Sequence, residues 1–413
     1  MHAPLPGRVS RARATLGRSR ALCVALVCAC LCFWQTSTHA QSGSFVPASG
    51  DLLLRGRPAE GLLVLRSGLR NSRFVDVDAL VFIGASSAAW SGDVLSVSVL
   101  VREPHGLGQV RLGRFIIGGG AVGPVQMDGA ELVLRPLPGS SLGLFAGLPV
   151  VPEFGSRSFD WLAGGRLGQT LWADRLGLGV SYVQRRDAGE RDAEELGADA
   201  SLHALSWLSL NALASWSLIA QGFSQLRAAA LANVDPVQIE LFAMQRIAAR
   251  LLPATSLFSV ISDTASTVAG GAADLRAFPR LNLGGTLAVE GLGSDLGYRT
   301  SLRATLRLAD EGPGKIGFEA MRRHRGADAY TGAALRVEVP INLTLTTHAI
   351  AELVRAEQPR GGVALWPWVR VGASWALSSE WLLGAALGVQ ASPLYAHDVY
   401  ALVRVGYRME LQP

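Results

Sequence analysis

The stretch Leu281–Leu308, LNLGGTLAVEGLGSDLGYRTSLRATLRL, shows the pattern that decides the fold. Apolar residues alternate with polar or charged ones on both sides of a short break at Gly291–Asp295. A period of two places the apolar side chains on one face of a β-strand and the polar side chains on the other. Each run is about 10–13 residues long, more than the ~5–6 residues usual in a globular strand and close to the ~9–11 that cross a bilayer at a tilt. The stretch predicts a transmembrane β-hairpin with one face toward lipid and one toward a lumen.

Residues 1–40 have the features of a secretory signal peptide. Five arginines precede the apolar run Ala21–Trp34, and Thr38-His39-Ala40 precedes Gln41. These are a charged n-region, an apolar h-region and a small-residue cleavage site, and the run is too short for a membrane helix. A cysteine within Val27–Cys32 is an alternative, as a lipidation site. We expect residues 1–40 to be cleaved, 41–72 to form a periplasmic lead-in or first strand, and 73–413 to form a barrel.

Removal of the leader changes the chemistry available to the chain. All four cysteines lie between residues 23 and 32, so the mature chain contains no thiol and has no disulfide framework, cysteine metal site or cysteine nucleophile. Without the five leader arginines, the 38 basic residues become 33, which equals the 33 acidic residues. The basic pI near 9.3 therefore comes from the leader and gives no support to nucleic-acid binding.

Alternation of apolar and polar residues recurs along the rest of the chain, for example in Asp93–Glu103, and no later apolar run is long enough for a membrane helix. Because lipid cannot hydrogen-bond the backbone, only helices or a closed sheet cross it. The pattern predicts an all-β fold, a membrane-spanning antiparallel up-and-down β-barrel located in the outer membrane of a Gram-negative bacterium and in contact with its lipid. At ~20 residues per strand and connection, the mature chain supports about 18 strands, with a range of 16–20.

The breaks between the alternating runs fall into two sets, which outer-membrane barrels place at opposite ends as short periplasmic turns and longer external loops. The short set is Pro104–Gly106, Pro138-Gly139, Ala173-Asp174, Ser206-Trp207, Asn233–Pro236, Phe278–Arg280, Asp310–Gly314, Pro340–Asn342 and Ser378-Ser379. The longer set is Gly118–Val125, Pro152–Ser158, Asp187–Glu194, Arg250–Ser266, His324–Ala329 and Ala356–Gly361. Trp172, Trp207, Phe278 and Trp381 flank short turns, where an aromatic girdle is expected.

The segment Gly108–Val151 carries a group of short motifs. They are LGR at Leu112–Arg114, MDGAEL at Met127–Leu132, RPLPG at Arg135–Gly139 and SLGLFAGLPVV at Ser141–Val151. This segment resembles proteobacterial porin-like and alginate-export-like outer-membrane barrels, which implies class and location but no substrate. The last strand, Val399–Leu411, resembles the C-terminal β-signal of outer-membrane barrels, although it is followed by Gln412-Pro413 where a terminal aromatic is usual. That resemblance implies the barrel assembly machinery as a partner.

Charged residues on the polar face are the candidate functional residues, because they share the parity that we assign to the lumen. They are Arg299, Arg303, Arg307, Arg336, Arg370, Arg404, Arg408, Glu290, Glu338 and Glu352. Arginine rings attract anions, and opposed arginine and glutamate create a transverse field in a pore. The alternative is that these charges simply pair with one another to satisfy a polar barrel interior. The apolar segment Arg250–Ser266 is expected to fold inward as a constriction or to form another hairpin.

Patterns of enzymatic or metal chemistry are weak. Gly118-x-Gly120-x-x-Gly123 matches a dinucleotide fingerprint only superficially, because Pro124 and a strand follow where a helix is required, and we expect a flexible external loop. The histidines of the mature chain show no HxxxH or HExxH spacing, so no metal site is predicted. Ser392 with His397-Asp398 is the nearest candidate for a barrel hydrolase.

The sequence favours a passive, porin-like channel for small hydrophilic solutes that has neither catalytic residues nor a cofactor. A barrel of ~16–18 strands leaves an aqueous lumen, which supports this interpretation. Two alternatives remain from other classes: a non-conducting structural or adhesion barrel, and an outer-membrane barrel hydrolase.

Overall fold

The computed structural model describes residues 46–55, 60–69, 74–86, 90–150, 160–247, 265–292, 295–310, 312, 314–326, 329–360, 363–392 and 395–411. These residues form 22 β-strands in a single antiparallel sheet. The strands are β1 Val46–Arg55, β2 Glu60–Leu69, β3 Val75–Ser86, β4 Trp90–Arg102, β5 Gly108–Gly119, β6 Val122–Leu134, β7 Ser140–Pro149, β8 Trp161–Leu171, β9 Leu176–Asp187, β10 Glu190–Leu205, β11 Leu208–Ser217, β12 Gly222–Val234, β13 Val237–Arg246, β14 Ser266–Phe278, β15 Leu281–Leu292, β16 Asp295–Arg307, β17 Lys315–His324, β18 Tyr330–Pro340, β19 Leu345–Arg360, β20 Val363–Ala376, β21 Trp381–Ser392 and β22 Tyr395–Leu411.

Pairing of the first and last strands closes the sheet into a barrel. Each strand pairs antiparallel with its neighbours in sequence, and β1 also pairs with β22, from Val46 opposite Leu411 to Arg55 opposite Leu402. The all-β barrel class is confirmed, and both described chain ends lie at the same end of it, the terminal end. No helix in the described part of the chain is long and apolar enough to cross a membrane.

The strand number was predicted wrongly as about 18. Several connections are so short that a strand and its connection use fewer residues than the ~20 assumed. The segment between residues 41 and 72 contributes two strands, β1 and β2. The predicted signal peptide, residues 1–40, lies outside the described residues, as does nearly all of Arg250–Ser266.

One face of the sheet is apolar and exposed along every part of the ring. In β15, Leu287 and Val289 are 63% and 54% exposed, whereas Ala288 and Glu290 between and beside them are buried. Similar alternation places exposed leucines and valines on the same face of the other strands. This face is the outer surface that the alternation in the sequence predicts, because lipid accepts apolar side chains at no cost.

Aromatic side chains surround the terminal end of the outer surface. Trp172, Trp207, Phe278 and Trp381 are all well exposed there. The rings of Trp381 and Tyr407 lie 4.7 Å apart between centroids on neighbouring strands. Their position next to the turns is that of an interfacial girdle, where indole and phenol rings contact lipid headgroups.

The two predicted sets of connections lie at opposite ends of the barrel. All nine short turns are at the terminal end, and the four predicted loops that fall on described residues are at the other end, the loop end. Three of those four are not external loops, however, and one of the three, Gly118–Val125, is the tip of the β5–β6 hairpin. Asp187–Glu194 is a hairpin in which Ala188 and Gly189, both with positive φ, form the whole connection, and Ala356–Gly361 is largely the end of β19. Positive φ at both central residues matches the twist of the strands, so a two-residue turn suffices.

Side chains hold the turns of the terminal end. The carboxylate of Glu103 accepts the backbone N–H groups of His105 and Leu107, at 2.9 and 3.0 Å, which lowers the pKa of Glu103. Two successive turns are joined where the Arg280 guanidinium donates to both oxygens of Asp310, at 2.7 and 2.8 Å. That ion pair lowers the pKa of Asp310.

Candidate functional site: the lumen and the inserted hairpin

Cross-strand register identifies one continuous inner face. Residues directly opposite each other on paired strands share a face, and the pairs can be followed around the whole ring. One such series runs through Arg166, Ser181, Gly197 and Ser215 on β8 to β11. This face carries the polar and charged side chains, opposite to the exposed apolar surface.

The β5–β6 hairpin leaves the barrel wall halfway along its length. Pairing between β4 and β5 stops at Val97 opposite Arg114, and pairing between β6 and β7 stops at Met127 opposite Pro149. Beyond these points β5 and β6 continue as a ladder only with each other, up to Gly119 opposite Val122. One further backbone bond to the wall follows, from the Val150 N–H to the Gln126 carbonyl at 3.0 Å. The distal half of the hairpin has therefore left the strand ladders of the wall.

Arg114 holds the point where the hairpin departs. Its Nε and Nη2 donate to the two oxygens of Asp128 on β6, at 2.6 and 2.9 Å. Its Nη1 donates to Asp93 and to the carbonyl oxygen of Val94 on β4, at 3.0 and 2.9 Å. The Gln126 amide donates to the carbonyl of Leu95 at 2.7 Å. Side chains thus bond backbone carbonyls of β4 beyond the point where the β4–β5 ladder ends.

An apolar cluster packs the released hairpin against its neighbours. It consists of Phe115 and Ile117 of β5, Val125 and Met127 of β6, and Phe145, Leu162, Val183 and Ala193 of β7 to β10. Met127 and Leu162 are completely buried. Burial of such side chains contributes about 1.5–3 kcal/mol each, so the inserted position is stabilised by packing rather than by the ladder.

The hairpin tip contacts the inner face of β10 and β11. Ser215 Oγ donates to the carbonyl of Ala121 at 2.6 Å, and a side chain at Gly197 would collide with the Cβ of Ala121. Gly197 and Ser215 both lie on the inner face by cross-strand register, so the hairpin tip that contacts them lies in the lumen.

Arg166 and Asp199 form the floor beneath the tip. The guanidinium of Arg166 donates to both oxygens of Asp199, at 3.1 and 2.6 Å. Gly120 has a positive φ, and a Cβ there would overlap the Asp199 carboxylate. The absence of a side chain at position 120 lets the turn approach this ion pair.

Gly118–Val125 is thus not the flexible external loop that its glycines predict. It is the end of two paired strands whose tip is inside the barrel. The sequence carries one signal of this, the apolar run Phe115-Ile116-Ile117, which interrupts the alternation because both faces of the hairpin need apolar residues there.

The barrel is similar to several solved structures. The translocation pore of the P pilus usher PapC has a TM-score of 0.50 at 10% identity, covering 90% of this chain and 99% of that one. OccK11 (OpdR) of Pseudomonas aeruginosa has 0.42 at 12% identity, covering 89% and 96%. OccAB2 of Acinetobacter baumannii has 0.41 at 9%, covering 89% and 98%. No family model matches the sequence, and no curated protein matches it.

The fold is that of an outer-membrane β-barrel. This confirms the class and the location predicted from the alternation. At these identities the likeness concerns the fold alone.

The structure places the ten predicted pore-lining residues of this outer-membrane barrel on the inner face, by the same cross-strand register. Six of them form ion pairs with carboxylates or cations nearby: Arg299–Glu290 (3.5 Å), Arg303–Asp274 (2.6 Å), Arg336–Glu319 (2.9 Å), Lys315–Glu338 (3.1 Å) and Arg404–Asp51 (2.7 Å). Glu290 also binds Arg323 at 2.7 Å and is 4% exposed. Arg370 lies over the Trp368 ring, with its guanidinium carbon 5.4 Å from the ring centroid. Six of the ten charges thus lie in pairs of opposite sign and do not form rings of one sign.

In the hydrolase candidate, the carboxylate of Asp398 is already engaged by two hydrogen-bond donors. Asp398 binds Arg55 at 2.9 Å and the Gln390 amide at 2.8 Å. A carboxylate held by these two donors is an ion-pair partner in the wall of the barrel. Among the described residues, no group of three or more His, Cys, Asp or Glu side chains is arranged to hold a metal ion.

A shallow concave region lies on the outer surface of the barrel, away from the lumen. It has a volume of about 870 Å³ and is lined mostly by small apolar residues of β8 to β14. Register explains it, because Ala200, Ala212, Ala228, Ala243 and Ala269 lie opposite one another in a single row across five strands. The row is a shallow groove in the lipid-facing surface.

Proposed function

We propose that this outer-membrane barrel is a passive channel for small hydrophilic solutes, and that the β5–β6 hairpin narrows it. The observation that carries the proposal is the inserted hairpin itself. A circular barrel of 22 strands about 4.8 Å apart and tilted by about 40° would be about 40 Å across between opposite backbones. Such a lumen does not discriminate among small solutes unless an element occupies part of it.

The charge arrangement supports a weakly selective pore. The predicted pore-lining residues Arg299, Arg303, Arg336 and Arg404 each have a carboxylate within 3.5 Å. Paired charges keep the wall hydrophilic while they cancel most of the net potential. We therefore expect the lining to favour water and polar solutes without strong preference for anions.

Planar-bilayer recording of the refolded, processed chain tests the proposal. The wild type should give small, stable conductance steps. A variant in which the hairpin segment 117–125 is replaced by a two-residue turn should give steps several-fold larger, because the lumen is then wider. Swelling of liposomes in sugars of increasing size gives the corresponding size limit.

Two results would contradict the proposal. If folded wild type and folded hairpin variant both fail to conduct, the chain is a non-conducting structural barrel. If both conduct equally, the hairpin does not set the width. Reversal potentials in salt gradients test the weak selectivity, and a strong anion preference would show that the arginines act as a ring despite their partners.

A further inference from the structure

An aromatic cluster occupies the inner face of β20 and β22, where a water-filled barrel usually has polar side chains. Trp366 and Trp368 lie on the inner face, because they are directly opposite Val354 and the predicted lining residue Glu352. Tyr400 shares that face, opposite Gly388. In outer-membrane barrels tryptophan belongs mainly to the outer girdles. Three aromatic residues facing the lumen therefore call for a role other than anchoring in lipid.

The cluster is held in a fixed geometry. The Trp368 indole N–H donates to the Tyr400 hydroxyl at 2.7 Å. Tyr400 is 8% exposed, and its ring occupies the space left by Gly388, where a side chain would collide with it. The Arg55 guanidinium carbon lies 5.3 Å from the Tyr400 ring centroid. Tyr400 is thus a support that sets the orientation of the Trp368 ring.

Planar polar groups surround Trp368. Glu352 is directly opposite it on β19, and Gln390 is directly opposite on β21. Arg370 places its guanidinium over the ring, and within the described residues its buried Nε makes no hydrogen bond. The arrangement is an aromatic surface with hydrogen-bonding groups on several sides.

Such a surface matches a sugar ring. A pyranose has an apolar C–H face that packs on an indole, and hydroxyl groups at its edge that pair with carboxylate, amide and guanidinium groups. The formal charges of Arg55, Arg370, Glu352 and Asp398 cancel, so the cluster favours a neutral ligand over an acidic one. Its position toward the loop end places it on the path of a solute that enters from outside.

We infer that Trp366, Trp368, Glu352, Arg370 and Gln390 form a binding subsite for neutral sugars inside the lumen. The inference deepens the proposed channel function, and its biological use rests on that function. Binding itself does not require conduction, so it can be measured separately. If the folded barrel shows no conductance, the proposed channel function is wrong, but the binding measurement is still valid.

Calorimetric titration of the detergent-solubilised full barrel tests the inference, with maltotriose, cellotriose and xylotriose as neutral probes and benzoate as an aromatic anion. We expect at least one trisaccharide to bind the wild type. Trp368→Ala should weaken that binding about tenfold or more, because the substitution removes the aromatic ring and aromatic rings contribute much of the binding energy at such sites. Trp375→Ala is the matched control, because Trp375 is on the same strand but half exposed on the outer face.

A difference in gel migration between unheated and boiled samples shows whether each variant is folded. Glu352→Gln is the second variant if Trp368→Ala does not fold. Glu352→Gln keeps the shape of the side chain and should weaken binding several-fold. The inference is overturned if no trisaccharide binds the folded wild type, or if both substitutions leave binding unchanged. Trp368-dependent binding of benzoate alone would also overturn it in favour of aromatic anions.

Discussion

Arg114 binds Asp128 with two hydrogen bonds and Asp93 with a third, at the residue where the β5–β6 hairpin turns away from the wall. The Arg114 and Asp93 side chains are 6% and 14% exposed, whereas Asp128 is 35% exposed. Removing one partner from a fully buried ion pair typically costs about 3–5 kcal/mol, and the partial hydration of Asp128 makes the cost smaller here. Arg114, Asp93 and Asp128 therefore join β5, β4 and β6 at the hinge of the inserted hairpin, and we call this ion-paired group the clasp.

The first prediction concerns this clasp. Arg114→Ala should release the hairpin and increase single-channel conductance, since Asp93 and Asp128 then repel each other and the link to β4 is lost. Arg111→Ala is the control, because Arg111 pairs with Glu131 on the same hairpin below the hinge, where β5 is still bonded to β4. Equal conductance of the two variants would show that the clasp does not hold the hairpin.

A second prediction concerns the seat of the hairpin tip, by which we mean the contact of Ala121 with Gly197 on β10. Gly197→Ala adds a methyl group that collides with Ala121, and it should displace the tip from β10. Because residues 41–413 contain no cysteine, Ala121→Cys in that segment reports the position of the tip through its rate of modification by a maleimide. The rate should rise several-fold in the Gly197→Ala background.

Gly143→Ala is the matched control for the seat, since a Cβ there meets nothing closer than the carbonyl of Arg166 at 3.9 Å. It lies on the same inner face, one strand from Arg166. If Gly143→Ala accelerates modification as much as Gly197→Ala does, the effect is a general loosening of the barrel and the proposed seat is wrong.

A third prediction tests which face meets lipid. Leu287→Arg places a charge on the outer face near the middle of β15, and it should destabilise the barrel in lipid vesicles by about 2–4 kcal/mol. Thr286→Arg, one residue away on the inner face, should cost far less because the lumen is hydrated. Guanidinium titration of both variants gives the free energies, and equal losses would contradict the assignment of faces.

A fourth prediction concerns pH and the turns at the terminal end of the barrel. The pKa of Asp310 is lowered from its ordinary 3.8 by hydrogen bonding and charge attraction from Arg280. A lowered folded-state pKa means that the ion pair stabilises the protein above pH 3.8, and that this contribution is lost as the pH falls through the folded-state value.

The stability of Asp310→Asn relative to wild type measures this contribution. The variant should have a lower melting temperature than the wild type at pH 7, and this gap should narrow as the pH falls below 3.8. The effect should be small, since both side chains are well exposed and solvent screens them. A gap that persists unchanged at pH 3 would show that the loss arises from something other than the carboxylate charge.

The alternation in the sequence determined the class of fold, because lipid outside and water inside impose a period of two on every strand. It also determined which side chains share a face, including the ten predicted lining residues, and which end of the barrel holds the short turns. These properties depend on neighbours along the chain or across one turn, so the sequence carries them directly.

The strand number and the inserted hairpin were decided by tertiary structure. The number depends on how little chain each connection needs, as at Ala188-Gly189. The hairpin depends on contacts between residues far apart in sequence, such as Ala121 with Ser215, and on a wall that supplies glycine at position 197. A segment with apolar residues on both faces can enter the lumen only where such a surface receives it, and that surface exists only once the barrel has closed.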